Sequence, residues 1–220
     1  MSPFSAIEAG RLTVVVAPFS AARGYAARVG PRITRRASLA LAAAALVHTQ
    51  AHAAEPEVPI RLQVSLLDRV IPFDRNFSVR VHGKLAVLIA VDKSNEDSSR
   101  VGTQLEAELT GRETLGGYPL TAARVTYAGA ATLVESCKRL RAGIVYLTPG
   151  VGESMAVLAD ALRGLRVLTV GGMPEQVAQG LVLGAAVRSA KPRVLVNLSR
   201  ARQQEVDFRA DFLRMAEVVG

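Results

Sequence analysis

Residues 85–91 read Leu-Ala-Val-Leu-Ile-Ala-Val and form an unbroken apolar run between Gly83-Lys84 and Asp92. A run of this length with turn residues on both sides is typical of a strand that is covered on both faces. Such strands occur in parallel sheets, because the crossover helices pack against both surfaces of the sheet. The run therefore predicts an α/β domain built around a buried strand.

A helix is predicted on each side of this run. Upstream, apolar residues recur at helical spacing and stop near Pro72, which cannot continue a helix. These residues are Ile60, Val64, Leu67 and Ile71. Downstream, the polar loop 92–99 is suited to cap a helix. The apolar face of that second helix consists of Val101, Leu105 and Leu109.

The alternation of strands and helices continues toward the C-terminus. Three further strands are predicted, at residues 123–127, 144–148 and 166–170. Helices are predicted at residues 130–139, 153–163 and 174–179. Strands that alternate with helices argue for a layered α/β domain with a mostly parallel sheet.

The C-terminal part adds two features to this sheet. Segments 181–187 and 193–198 face one another across residues 188–192, which predicts an antiparallel hairpin. A closing amphipathic helix is predicted from the apolar residues Phe208, Phe212, Met215, Ala216 and Val219. The predicted fold class is therefore an α/β layered sandwich with a mostly parallel sheet plus a C-terminal antiparallel hairpin and closing helix.

An export signal is predicted at residues 34–54. Thr34-Arg35-Arg36 supplies paired positive charge, residues 39–47 an apolar run, and Ala51-His52-Ala53 a cleavage site before Ala54. The apolar run is too short for a membrane-spanning helix, which needs about 20 residues. The paired arginines resemble a twin-arginine signal. Adjacent arginines also occur in ordinary Sec signals, so the export route stays open.

The signal sets the expected domain organisation. We expect residues 1–53 to be an N-terminal extension and signal peptide that is removed, and residues 54–59 to be a flexible lead-in. Residues 60–220 are then a single domain in the periplasm, long enough to fold without disulfide bonds. The stretch before Thr34 is long for a signal, which leaves open a true start of translation near Val29.

Most of the basic excess of the chain belongs to the predicted signal. Residues 1–53 contain six of the 27 basic residues and one of the 19 acidic residues, so residues 54–220 keep a net charge of +3. A nucleic-acid-binding domain needs basic residues clustered on one face, often with aromatic side chains that stack on bases. We therefore expect no nucleic-acid partner.

The residues that most often carry catalysis are scarce in the predicted mature domain. It contains one histidine, His82, in a turn before the first strand, and one cysteine, Cys137. A single cysteine in an exported protein is either a buried thiol or part of an intermolecular bridge, and its apolar context favours burial. A nucleophile–base pair of Cys137 and His82 is conceivable, but nothing in the local sequence supports it.

The carboxylates show no catalytic or metal-binding pattern. Asp92, Glu96 and Asp97 share a loop without the spacing of a calcium site. Asp207 and Asp211 are four residues apart and are predicted to share a helix face, where basic neighbours indicate a solvated surface. We therefore predict no catalytic, cofactor-binding or metal-binding residue and a protein that is not an enzyme.

Glycines at predicted strand ends leave one alternative open. Gly150-Val-Gly152 and Gly171-Gly172 both follow strands, at the edge where open α/β sheets bind ligands. Neither segment has the spacing of a dinucleotide-binding or phosphate-binding loop, and glycine also serves tight turns. The alternative function is therefore a periplasmic small-solute-binding protein with a crevice near Gly150 or Gly172.

Segments along the whole predicted mature domain, from about Val58 to Val219, resemble the YfiR family of exported bacterial proteins. The segments that carry the resemblance are Leu66-Leu67 with Ile71-Pro-Phe-Asp74-Arg75-Asn76, Ile144-Val-Tyr146-Leu-Thr-Pro149-Gly150, Leu168-Thr169-Val170 with Gly180-Leu-Val-Leu-Gly184, Val194-Leu-Val-Asn197-Leu198, and Asp207-Phe208 with Phe212-Leu213-Arg-Met215-Ala216. The C-terminal third is the most specific part.

The resemblance implies a regulator rather than an enzyme. YfiR-like proteins are periplasmic and repress an inner-membrane diguanylate cyclase by contact with its periplasmic domain, which lowers cyclic di-GMP signalling and biofilm formation. An outer-membrane lipoprotein can sequester them, and a homodimer is expected. Well-studied members use cysteine pairs for redox-linked stability, whereas Cys137 has no second cysteine to pair with in this chain.

Overall fold

One eight-stranded sheet organises the residues that the computed structural model describes, 58–151 and 155–220. Its spatial order is β2-β3-β1-β4-β5-β6-β7-β8. The strands are β1 Leu85–Val91, β2 Thr114–Leu115, β3 Tyr118–Thr126, β4 Ala142–Leu147, β5 Leu168–Gly171, β6 Leu183–Arg188, β7 Lys191–Val196 and β8 Glu217–Val218. The predicted export signal and lead-in at residues 1–57 lie outside the described residues.

The pairing confirms the predicted fold class. Strands β3, β1, β4, β5 and β6 are parallel neighbours. The C-terminal hairpin pairs β6 with β7 in antiparallel fashion, and β2 pairs with β3 in the same way at the opposite edge. Strand β8 is parallel to β7.

Helices cover both faces of the sheet. Their bounds are α1 Ile60–Val70, α2 Glu96–Thr110, α3 Ala130–Leu140, α4 Met155–Ala161, α5 Pro174–Gln179, α6 Leu198–Gln203 and α7 Ala210–Leu213. Helix α1 ends at Val70 and continues as a short 3₁₀ turn over Ile71–Phe73, because Pro72 has no N–H to donate. A second 3₁₀ turn spans Phe77–Arg80.

The run at residues 85–91 forms β1 and is covered on both faces, as predicted. Leu85, Val87, Ile89 and Val91 belong to a core with α1, α2 and the C-terminal segment 206–212. Leu88 and Ala90 belong to a second core with α3 and α4. Because side chains alternate along a strand, one stretch supplies both layers.

The hairpin has a tighter turn than the sequence predicts. The sequence predicts the connection at residues 188–192, but Arg188 and Lys191 already pair across the two strands. Ser189 and Ala190 make the turn, with φ values of 49° and 59°. Positive φ at both central residues twists the chain in the sense that flanking strands require, so two residues suffice.

The closing helix is much shorter than predicted. Helix α7 covers only four residues, and the chain then enters β8 beside β7. Phe208 and Phe212 are buried, but the side chain of Met215 is 59% exposed. Asp207 precedes the helix, so the predicted helix face shared by Asp207 and Asp211 is wrong. The helix stays short because the backbone on both sides of α7 pairs with other segments, although the apolar residues have helical spacing.

Candidate functional site

The edge at which the parallel strands end contains the switch point of the sheet. Strand β1 lies between β3 and β4, so the connections from β1 and from β3 lead to opposite sides. Open α/β sheets bind ligands at the carboxyl edge of such a point. Here that edge is formed by the loops that follow β1 and β4, and Gly150 lies in the second loop.

The described glycines at this edge pack closely against side chains of the same protein. Gly150 has a φ of 82°, and a Cβ built on it would overlap the Nδ2 atom of Asn95. A Cβ on Gly172 lies 2.7 Å from the hydroxyl of Tyr146. Both glycines are therefore required by turn geometry or by packing within the chain. The predicted partner of Gly150, Gly152, lies outside the described residues.

Polar groups at the switch point are satisfied by one another. Thr148 is fully buried, and its hydroxyl donates to the Ala90 carbonyl at 2.8 Å and lies 2.5 Å from the Ser98 hydroxyl. The Asp92 amide donates to the same Ser98 hydroxyl at 2.8 Å. The Gln176 amide nitrogen donates to the Thr148 carbonyl at 3.2 Å. These groups hold the loops together, which favours a structural role for Gly150 and Gly172 over a ligand crevice.

The structure brings His82 and Cys137 to the rim of one pocket. Cys137 is buried in α3, and burial raises the pKa of its thiol to about 12. A reactive cysteine needs a lowered pKa, since the thiolate is the nucleophile. Cys137 is thus the buried thiol that the sequence favours, and the pair lacks an activated nucleophile.

The remaining carboxylates serve local structure. Hydrogen bonds from the hydroxyl and the amide of Ser94 lower the pKa of Asp92. Glu96 and Asp97 occupy the first turn of α2, where the helix dipole favours negative charge. Across residues 58–151 and 155–220, no three histidine, cysteine or acidic side chains are grouped to hold a metal ion.

The most elaborate polar cluster lies at the opposite, amino edge of the sheet. The Asp74 Oδ2 atom and the Arg80 Nη1 atom are 2.6 Å apart, and neither side chain has exposed surface. The other Asp74 oxygen accepts hydrogen bonds from the amides of Asn76 at 3.0 Å and Asp207 at 2.9 Å. The Arg80 Nη2 atom donates to the carbonyls of Gln204 and Glu205.

Backbone hydrogen bonds complete this connection, which we call the clasp and define as residues 73–80 with residues 204–209. The Arg75 amide donates to the Asp207 carbonyl, and the Arg209 amide donates to the Phe73 carbonyl, both at 2.9 Å. An exposed ion pair joins the side chains of Arg75 and Asp207 at 3.2 Å. The clasp therefore fixes the exit of α1 to the C-terminal segment.

Sequence reasoning missed the clasp. Asp74 and Arg75 stand in a segment that resembles the YfiR family, but a carboxylate followed by an arginine is ordinary on a protein surface. The partner of Asp74 across the fold, Asp207, is 133 residues away. No periodicity connects positions so far apart, so only the folded chain shows which charge is buried.

A family comparison matches residues 82–217 of this chain to proteins described as YfiR/HmsC-like. The match covers more than half of the chain. The chain belongs to the YfiR/HmsC-like family. Members of the YfiR/HmsC-like family are periplasmic regulators rather than enzymes. The predicted resemblance is confirmed, and no helix within the described ranges is both long and apolar enough to cross a membrane.

Solved structures of other proteins share the fold of this YfiR/HmsC-like chain. One is described as the ABC domain in complex with L-Trp from Streptococcus pneumoniae, with a TM-score of 0.54 and 10% identity over 74% of this chain. Another is a conserved domain protein from Vibrio cholerae, with a TM-score of 0.53 and 11% identity over 74% of this chain. The chain spans 62% and 60% of their lengths. No curated protein matches the sequence.

Proposed function

We propose that this protein represses an inner-membrane diguanylate cyclase by contact with the periplasmic part of that enzyme. Cyclic di-GMP signalling and biofilm formation fall as a result. Membership of the YfiR/HmsC-like family is the observation that carries the proposal. The internally satisfied polar groups at the switch point are in keeping with a protein that acts through its surface.

The mechanism follows from binding equilibria. A repressor shifts its partner toward the inactive state only if it binds that state more tightly than the active state. The bound form of the cyclase then makes less cyclic di-GMP without any chemistry on the repressor. We expect the repressor to act as a homodimer, and an outer-membrane lipoprotein to relieve repression by sequestering it.

Deletion of the gene tests the proposal in cells. Cyclic di-GMP should rise in the deletion strain and return to its original level when the full chain is supplied. The matched control is the same chain with Leu41→Arg, which interrupts the apolar run of the predicted signal. This variant should fail to complement, since its domain stays in the cytoplasm. An unchanged cyclic di-GMP level after deletion would contradict the proposal.

The export signal is tested on the protein itself. We propose that residues 1–53 are removed, so the N-terminal sequence of the periplasmic protein should begin at Ala54. Replacing Arg35 and Arg36 by lysine should abolish export if the route is twin-arginine and leave it unchanged if the route is Sec. A periplasmic protein that retains Thr34 would contradict the predicted cleavage.

A small-solute-binding protein is the second candidate. The fold likeness to the Streptococcus pneumoniae domain, described in complex with L-Trp, favours it. The packing of Gly150 against Asn95 and of Gly172 against Tyr146 counts against a crevice at that edge. A thermal-shift screen of metabolites should leave the melting temperature unchanged if the protein acts only by protein contact. A ligand-dependent increase would support this second function.

A further inference from the structure

A pocket of about 220 Å³ lies at the amino edge of the sheet, where the chain enters β4 and β5. Its apolar lining includes the side chains of Val79, Cys137 and Leu165. Its polar lining is basic and consists of Arg80, His82, Lys138, Arg141 and Arg166. No carboxylate is among the residues that line this pocket in the described part of the chain.

Arg80 lies beneath the surface of this pocket, and one of its guanidinium nitrogens lacks a hydrogen-bond partner within the described part of the chain. Its Nε atom is buried and has no hydrogen-bond partner among the described residues. Burial lowers the pKa of the guanidinium; Asp74 and Glu205 oppose that effect, and repulsion from Arg166 adds to it. A buried charge needs an opposite charge or hydrogen bonds; Asp74 supplies the opposite charge, and the Nε atom is the part of the guanidinium whose hydrogen bond is missing within the described ranges.

Two arginines at the pocket have a backbone conformation that normally selects glycine. Arg141 follows α3 with a φ of 47°, and Arg166 precedes β5 with a φ of 53°. The left-handed region is unfavourable for side chains with a Cβ, and helices commonly end on glycine for this reason. Unfavourable backbone states of this kind concentrate at ligand-binding sites.

The ion pairs around the pocket leave one cation without a partner. Arg166 pairs with Glu205 at 2.8 Å, and Lys138 pairs with Glu135 at 3.6 Å. Among the described residues, the side chain of Arg141 forms no ion pair or hydrogen bond, whereas its backbone N–H donates to the Lys138 carbonyl at 3.2 Å. Basic residues also stabilise helix C-termini, which accounts for Lys138 and Arg141 at the end of α3. That effect does not account for Arg166 or for the unpartnered Nε atom of Arg80.

We propose that this pocket binds a phosphate group, with the guanidinium groups of Arg141 and Arg166 as its direct contacts. Guanidinium groups match the oxygens of phosphate with paired, charge-assisted hydrogen bonds. Arg80 makes no direct contact with the phosphate, since its side chain has no exposed surface and is paired with Asp74. The proposal does not rest on the regulatory function above, because it concerns a ligand rather than a protein partner.

Calorimetry with inorganic phosphate at low ionic strength tests the site on the purified protein. We expect saturable binding that weakens as salt is added. Arg141→Gly should weaken binding by about tenfold or more, which is the usual effect of losing a charged hydrogen bond. Glycine also relieves the left-handed backbone at this position, so the variant should unfold at an equal or higher urea concentration. Lost binding then cannot be attributed to lost folding.

Two control variants separate charge from backbone effects. Ala190→Gly places glycine at another left-handed position, in the β6–β7 turn, and Arg193→Gln removes one exposed positive charge from β7. Both should bind phosphate as the unchanged protein does. Absence of binding at millimolar phosphate, or full affinity in Arg141→Gly, would overturn the proposal.

Lipid vesicles distinguish the two sources of the phosphate group. Sedimentation with phosphatidylcholine vesicles that contain phosphatidic acid, lost in Arg141→Gly, would support the site and assign it to a lipid headgroup. Phosphate binding without vesicle binding would support the site and assign it to a free phosphate compound. Vesicle binding that Arg141→Gly leaves unchanged, without phosphate binding, would contradict the pocket as the site.

Discussion

Asp74 and Arg80 form an ion pair in which neither side chain has exposed surface. Removing a charge from water is strongly unfavourable unless paired charges and hydrogen bonds replace the hydration. Asp74 receives one ion pair and two amide hydrogen bonds, which occupy both of its oxygens. Loss of one partner would leave the other charge buried and unpaired.

Asp74→Asn should lower the free energy of unfolding by about 3–5 kcal/mol, because the Arg80 charge then loses its carboxylate. Urea unfolding measures the change. Asp97→Asn is the matched control, since it removes the same charge from an exposed pair with Arg100. An exposed pair contributes less than about 1 kcal/mol. Equal effects of the two substitutions would contradict the argument.

The Cys137 thiol should react slowly in the folded protein. Burial raises its pKa to about 12, so at pH 8 far fewer molecules carry a thiolate than in the unfolded chain. We expect labelling with a thiol reagent to be about a thousandfold slower in the native state than in urea. Because the folded state favours the protonated thiol, Cys137 makes its full contribution to the free energy of unfolding below about pH 9. That contribution is lost as the pH rises toward 12.

At the scale of elements, the segments with a strong local signal are predictable. The apolar run of β1 identifies the strand without reference to other segments. Asn95 likewise marks the start of α2, which it caps by accepting a hydrogen bond from the Ser98 amide. The prediction of a long closing helix is wrong because residues 207–209 form backbone hydrogen bonds with the segment that follows α1, and residues 217–218 pair with β7. Both pairings join segments that are distant in sequence, which local spacing cannot register.

The β6–β7 turn offers a stabilising substitution. Ala190 has a φ of 59°, and glycine adopts this conformation without the clash of a Cβ. Ala190→Gly should therefore raise the free energy of unfolding by about 0.5–1 kcal/mol. The control is Ala107→Gly at an exposed position of α2, which should lower it by about 1 kcal/mol. A loss of stability in both variants would show that the turn is not strained.

For the molecule as a whole, the C-terminal segment is part of the main core rather than an appendage. Val206, Phe208 and Phe212 pack in the same cluster as α1, α2 and β1. The clasp adds the carbonyls of residues 204 and 205 as acceptors for Arg80. The sheet edge, the helix layer and the polar cluster thus all depend on the end of the chain.

A chain that stops after Gln203 should lose cooperative folding. Truncating a buried phenylalanine lowers the free energy of unfolding by about 3–5 kcal/mol, and the whole domain has only about 5–15 kcal/mol. The combined loss of Phe208, Phe212 and the clasp is of the same size as that margin. Near-ultraviolet circular dichroism and urea unfolding measure the outcome, with deletion of Gly220 alone as the control. A cooperative transition in the shortened chain would contradict this expectation.

The clasp also sets an order of events during synthesis. A polypeptide emerges from its N-terminus, and its early parts fold first. Asp74 and Arg80 are made more than a hundred residues before the amide of Asp207 that completes their surroundings. Until residues 204–209 appear, this charged pair stays open to water and the end of α1 has no contact with them. The native state is therefore reached only after these residues are made, and a chain that stalls before them remains open to proteases.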